Sequence, residues 1–303
     1  MGCTGNVTSG FVAFKSPAAG ASFTRDQLGT TGAIVAPVEV EVDRDGDIKR
    51  VAITQGTDEL GDVDGSGKLR AEVTGPGLQT LTATAYDDAG SSLATATVDI
   101  MIDDPALADC HAWLDLFQQD YTLGPANPGV ADPVTAKVPL NGMVYRYSDN
   151  TTPRTTLYAD CTLIRSLLEA APIMRKHDIV EVADIGVYNY RCIGGGTPPD
   201  CPNGISQHAY AKAIDFAGFK TSDSTTYTVL TDWVIDTSGT TCTAATEDPK
   251  DDFLHQLICE LKQKKVWNIV LTPNYNSDHR NHFHVDLTPD SNFIKRDLWD
   301  GAD

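Results

Sequence analysis

No stretch of this chain is long and apolar enough to cross a bilayer as a helix. There is no run of lysine or arginine either: 23 basic residues stand against 42 acidic ones, a net charge of −19. A phosphate backbone is gripped by a local excess of Lys and Arg, so polyanions are poor partners and no nucleic-acid binding is expected. The chain has no Cys-x-x-Cys pair, which argues against a thiolate zinc site. Histidine is scarce, at seven in 303 residues. What is present suits a folded protein: 41% hydrophobic and 21% charged residues are not the balance of a disordered chain. The length suffices for one large domain or two ordinary ones.

The cysteines are Cys3, Cys110, Cys161, Cys192, Cys201, Cys242 and Cys259. Cys3 lies in "MGCTGNVTSG", which resembles the mature N-terminus of a bacterial lipoprotein around its modified cysteine. Cys3 is therefore the expected lipidation site and membrane anchor. The myristoylation pattern fails because Asn6 stands where Ser or Thr is required. The remaining six are an even number without metal spacing, and point to disulfides and an oxidising compartment. Cys192 and Cys201 flank a Gly/Pro loop and make the favoured pair. For the other four, Cys110–Cys161 and Cys242–Cys259 is the favoured pairing, with the alternatives open. The expected location is exported, periplasmic or in the cell envelope.

Residues 1–12 read as a flexible tether, 13–103 as one domain and 104–303 as another. In the first, "VEVEV" puts Val38, Val40 and Val42 on one face and Glu39 and Glu41 on the other. "LTATAY" and "LATATVDI" follow the same alternation, with Asp-Gly and Pro-Gly turns between. The expectation is an all-β, Ig-like sandwich, and "LTATAYDDAG" is similar to bacterial Ig-like domains. "DVDGSGKLRAEV" begins like a calcium loop, but Val73 occupies the position of the bidentate glutamate, and a hairpin turn accounts for Asp and Gly equally well. "IDDPALAD" (102–109) reads as the linker.

Beyond it the pattern is mixed. "DCTLIRSLLEAAPIMRKHD" reads as a helix capped by Asp160 and ended or kinked at Pro172. "IVEVADIGVYNY" (179–190) reads as a strand, "DDFLHQLICELKQKK" (251–265) as an amphipathic helix and "VWNIVL" as a strand. The expected second domain is α+β, with a small antiparallel sheet carrying a metal site.

Three of the seven histidines fall within "HRNHFHVDL": His279, His282 and His284. On a strand, period two puts His282 and His284 on one face and Phe283 on the other. Upstream, "SQHAYAKAIDF" contains His208 and Asp215. On a continuous helix these two would lie roughly 10 Å apart along the axis, too far to share an ion with bonds of about 2.1 Å. A loop histidine turning back into a strand "AIDF" meets the requirement, with Ile214 and Phe216 facing the core and Asp215 the cleft. Two strands side by side then offer His208, Asp215 and His284 to one zinc, and three protein ligands with an open fourth position describe a catalytic site. His279 and Asp278 are candidates to orient a ligand. His111, His177 and His255 are expected to be structural, and Trp233 and Trp267 to be core.

His-x6-Asp followed by His-x-His resembles the zinc metallopeptidase superfamily of lysostaphin-type enzymes and D-alanyl-D-alanine carboxypeptidases. Within it, "LYADC", "YNYRC", "SQHAYAKAIDFAGF", "TDW" and "TPNYNSDHRNHFHVDL" occur in the order of the extensin-like C-terminal domain. The resemblance implies zinc held by His208, Asp215 and His284, with His282 beside the water and the oxyanion. It implies that Arg191 grips a substrate carboxylate and that Ser206 belongs to the site. Tyr188 and Tyr275 are expected to line the cleft. The implied activity is hydrolysis of peptidoglycan peptides. The rival reading is an envelope binding or scaffold protein that keeps the fold without turnover. Two positions depart from many relatives: Ala211 replaces Gly, and Asn281 replaces an Asp. Asparagine cannot take a proton, so if an acid–base role is needed there, either His282 fills it or the activity is weak or absent.

Overall fold

A computed structural model describes residues 10–45, 48–236, 241, 242, 246 and 248–295. The tether and the lipidation candidate Cys3 lie outside the described residues, apart from the last residues before Val12. The chain divides into two compact units, Met1–Leu107 and Ala108–Asp303.

The N-terminal unit is a β-sandwich of two sheets. One holds Val12–Ser16, Ile34–Arg44, Gln27–Leu28 and Lys68–Thr74; the other runs Ser22–Thr24, Ser92–Asp103, Gly77–Tyr86, Arg50–Gln55 and Asp58–Asp62. Alternation decides what is buried. Val38, Val40 and Val42 join Ile53, Leu81, Ala83, Ile100 and Ile102 in one apolar core, because successive side chains on a strand point to opposite faces. The outward Glu39 and Glu41 sit directly across from Arg70 and Lys68, with ion-pair distances of 3.8 and 3.6 Å. Such exposed cross-strand pairs add little stability, but they fit the register. The aspartate-rich turn is a turn: the Asp64 carboxylate accepts the Ser66 and Lys68 amides and the Ser66 hydroxyl.

The C-terminal unit corrects the expected small antiparallel sheet. Its main sheet has seven strands and is mixed: Val144–Tyr147, Ile179–Gly186, Ala213–Thr221, Phe283–Asp286, Ile269–Leu271 and Phe293–Lys295 in that order, with Thr226–Thr228 also on Ala213–Thr221. The end pairings are parallel and the central ones antiparallel. The strands not foreseen, Val144–Tyr147, Thr226–Thr228 and Phe293–Lys295, are three or four residues long and carry too little alternation to be read from sequence. A second, three-stranded sheet joins Tyr121–Leu123, Pro133–Lys137 and Thr156–Asp160.

Helix Cys161–Lys176 starts at Asp160, whose carboxylate accepts the Thr162 amide. Of the two outcomes expected at Pro172, an end to the helix does not occur. Proline lacks the N–H that would bond the Leu168 carbonyl, and the Asn141 side-chain amide donates to that carbonyl instead, at 2.9 Å. Helix Pro249–Gln263 begins at an Asp248 cap and buries Leu254, Leu257, Ile258 and Leu261. Cys110–Cys161, Cys192–Cys201 and Cys242–Cys259 are disulfides, as favoured from the sequence, and they mark an exported protein. Trp233 and Trp267 are core residues.

Candidate metal centre

The site forms where the two central strands meet. Asp215 and His284 are direct partners in the antiparallel register, the arrangement that brings opposite side chains closest. On the other face of the same strands Ile214, Phe216, Phe283 and Val285 are fully buried, so packing fixes which way Asp215 and His284 point. His282 stands one residue before the strand Phe283–Asp286, not on it as expected, yet it still reaches the cluster.

His208 arrives from a single 3-10 turn, Gln207–Tyr210. Ser206 caps it, its hydroxyl oxygen accepting the His208 amide at 3.3 Å. The turn ends at Ala211, whose φ of 52° is left-handed. That conformation costs a residue with a Cβ roughly 1–2 kcal/mol and is open to glycine. The chain then reverses into strand Ala213–Thr221.

Three atoms converge. His208 Nε2 lies 3.2 Å from Asp215 Oδ1 and 3.2 Å from His284 Nδ1, and His284 Nδ1 lies 2.9 Å from Asp215 Oδ1. The far ring nitrogens fix the tautomers. His208 Nδ1 donates to the Val187 carbonyl at 2.7 Å, and His284 Nε2 donates to Asp286 Oδ2 at 2.9 Å. Two imidazole lone pairs and a carboxylate oxygen are thus turned on one point. Three acceptors this close repel unless a cation lies among them. Zinc bonds of about 2.0–2.2 Å in a tetrahedron place ligand atoms about 3.3–3.6 Å apart, a few tenths of an ångström beyond the separations here. The donor set therefore fits a divalent metal of the zinc type. Without metal, protons take that part. Burial opposes charge on His284, but hydrogen bonds to Asp215 and Asp286 outweigh it and lift the ring to about 9. Burial likewise opposes charge on Asp215, and the hydrogen bonds from His208 and His284 overcome it and hold the carboxyl far below its usual range.

His282 Nε2 lies 3.5 Å from Asp215 Oδ1, while Nδ1 contacts Asn281 Oδ1 at 2.8 Å. Asn281 thereby holds the ring with Nε2 toward the cluster. Burial pushes His282 below its ordinary value, opposed by the Asp215 charge and aided by the charges of His284 and His208. His279 packs its ring 5.2 Å from His282 and 5.8 Å from His284. Burial first, then those two rings, push it down to about 4. Arg191 makes no side-chain ion pair among the described residues, and both His279 and His282 feel its charge. Tyr275 meets His279 edge-on. Tyr188 donates its hydroxyl to the Pro128 carbonyl.

Sequence reasoning missed Asp286 and Val187. Asp286 follows His284 by two on one strand, a signal that was available. The Val187 carbonyl had none: the expected strand 179–190 stops at Gly186, and backbone from 187 to 189 turns to the His208 turn, with the Asn189 amide donating to the His208 carbonyl. The bulge before it was also unforeseen. At the register shift the polarity inverts, leaving Asp184 fully buried and Ile185 42% exposed. Arg154 pairs with Asp184 and lies over the Tyr147 ring. Burial raises the Asp184 carboxyl to about 7, against the opposing charge of Arg154. The other histidines are structural: His111 binds Asp132, His177 binds Glu260, and His255 stacks on Trp233. The grouping of Cys110, Cys161 and Asp132 is no metal site, because the two thiols are joined to each other.

A mixed-sheet domain with a buried His/Asp/His cluster is the class defined by this geometry. The family model described as extensin-like protein C-terminus matches residues 131–294, more than half of the chain, and the chain belongs to that family. No curated protein matches it. Among solved structures, the fibronectin(III)-like modules of Clostridium thermocellum CbhA are 14% identical, covering 31% of this chain and 98% of theirs at a TM-score of 0.26. Parabacteroides merdae β-glucuronidase is 8% identical, covering 42% of this chain and 15% of its own at 0.24. Bacteroides ovatus SGBP-B, solved with a mixed-linkage heptasaccharide, is 9% identical, covering 72% and 45% at 0.23. Likenesses this slight carry no argument about this chain.

Proposed function

We propose that this protein is a zinc-dependent peptidase of the bacterial envelope that hydrolyses peptidoglycan peptides. The observation that supports it is the convergence of His208 Nε2, Asp215 Oδ1 and His284 Nδ1 within 3.2 Å, with both ring tautomers fixed from outside. Zinc bound there would lower the pKa of its water to about 7 and polarise the scissile carbonyl.

The chain's own residues supply the rest. His282, kept neutral and held by Asn281, offers Nε2 as the acceptor for a proton from the attacking water; once protonated it stabilises the oxyanion. Asn281 orients this base and is not itself the base. Arg191 presents a planar fork to a carboxylate of the peptide stem. Ser206 acts through the turn it caps, and Tyr275 lines the approach beside His279. In this reading the N-terminal sandwich is an Ig-like module and Cys3 a lipid anchor in the periplasm or envelope.

A second reading, a peptidoglycan-binding protein without turnover, is favoured by one feature: a carboxamide stands at 281 and is engaged with His282. Digestion of purified peptidoglycan decides between them. The peptidase releases new amino groups, detected by mass spectrometry of the fragments, and His282→Ala does not. A zinc-loaded wild type that sediments with peptidoglycan and releases nothing is the binder.

A further inference from the structure

One support of the His208 turn takes no part in the chemistry above. Residues 124–130, "GPANPGV", form a strap that meets it at Gly129. Two tyrosines latch the strap: Tyr158 donates its hydroxyl to the Pro125 carbonyl and Tyr188 to the Pro128 carbonyl, each at 3.1 Å. Their rings meet edge to face at 5.9 Å. At the far end Gly129 has φ +83°, and a Cβ there would lie 2.5 Å from the Ala209 carbonyl oxygen and 3.3 Å from both its carbon and Tyr190 Cε2. Ala209 is buried and follows His208 directly. From elsewhere the turn is tied by the Asn189 amide on the His208 carbonyl and by His208 Nδ1 on the Val187 carbonyl.

We propose that Gly129 is a positioning residue for His208, the strap setting where the ring's Nε2 falls relative to Asp215 and His284. The inference rests on the metal reading above. Its physical core is a mismatch of tolerances. Ordinary carbon–oxygen contacts begin at about 3.3 Å, so a methyl at residue 129 must displace backbone by most of an ångström. The atom it meets is a carbonyl oxygen in a one-turn helix, not the free end of a side chain. Metal ligands tolerate about 0.2 Å. The displacement passes through one peptide unit to His208, and the two tyrosine hydrogen bonds oppose the strap's swinging clear.

The test compares zinc affinity, by chelator competition, and the Co(II) absorption spectrum across variants of the full chain. Gly129→Ala is expected to weaken zinc about 10- to 100-fold, the range for groups that orient a ligand from outside, and to alter the Co(II) spectrum. Gly195→Ala is the control: its φ is +104° with nothing within 4 Å, so it carries the backbone strain without the collision, and both readouts should match wild type. Equal affinity and an identical spectrum in Gly129→Ala overturn the proposal, as does equal weakening in Gly195→Ala. If Gly129→Ala does not fold, the double variant Tyr158→Phe, Tyr188→Phe keeps both rings and removes only the latches. It should weaken zinc by a smaller factor, and no change overturns the proposal. A wild type that binds no metal overturns this inference together with the metal reading, whereas wild-type binding with an indifferent Gly129→Ala overturns this inference alone.

Discussion

The two units of this chain bury different things. Among the described residues, the buried members of the N-terminal core cluster are Val, Ile, Leu and Ala, and the unit's buried polar side chains, Arg25 and Gln55, are matched locally by Asp104 and by Thr74 and Gln79. The C-terminal unit buries Asp160, Asp184, His208, Asp251, His255, His282, His284 and Asp286. A buried charge is costly unless it is paired or coordinates a metal. Most of these side chains are matched pairwise within the fold; His208, Asp215 and His284 instead turn three acceptors on one point. A sheet that needed only stability would follow the first unit, and this cluster is where the proposed function is placed.

Four tests would break or sharpen that contrast. The largest is Arg154→Ala. It leaves Asp184 buried without its partner, which should cost the C-terminal unit about 3–5 kcal/mol. Leu81→Ala, a pure packing loss in the other unit, should cost that unit about 2–5 kcal/mol. Calorimetry should show each variant lowering a different transition, with zinc binding unaffected by Leu81→Ala. A single shared shift would mean that the units are not separate in stability.

Next is His208→Ala. Loss of a ligand should weaken zinc by more than the roughly 100-fold ceiling typical of an outer partner, measured by chelator competition. Asp286→Asn comes third. It keeps an acceptor for His284 Nε2 but removes the charge, and should weaken zinc about 10- to 100-fold, or about 1.4–2.7 kcal/mol. If His208→Ala were no worse than Asp286→Asn, His208 would not be a ligand.

The smallest, taken per pH unit, is a slope. The folded Asp184 carboxyl sits at about 7, above its ordinary range, so the folded state holds its proton more firmly than the unfolded chain. That stabilisation is fully present below about pH 4 and is lost as pH rises through 7, by at most about 1.4 kcal/mol per pH unit. Urea titrations in chelator at several pH values should show a decline between pH 4 and 7 that flattens in Asp184→Asn. An unchanged slope would assign it to another group.

Much of this was legible in the sequence, and the reason differs by region. In the N-terminal unit "VEVEV" and "LTATAY" fixed the buried faces because period-two alternation is all that a sandwich strand requires. In the C-terminal unit the long helices were legible from apolar spacing and Asp caps, and the site from the requirement that His208 leave a turn while Asp215 sits on a strand. That the helix continues past Pro172 was not legible because the remedy, Asn141, lies 31 residues earlier in the sequence. The strand at 179–190 was read too long because the hydrogen bonds of 187–189 go to a 3-10 turn, a tertiary choice invisible to alternation. Asp184 and Ile185 show the same limit: a bulge inverts inside and outside, and nothing in "VADIG" announces it. The Ala211 departure became intelligible only from its left-handed backbone, which explains why glycine would suit that position.

The most direct test of the metal centre is zinc-edge anomalous diffraction from crystals grown with one equivalent of zinc. The account predicts a single peak about 2.0–2.2 Å from His208 Nε2, Asp215 Oδ1 and His284 Nδ1, with one coordination position left to solvent. A peak elsewhere, or none between these three side chains, would contradict it.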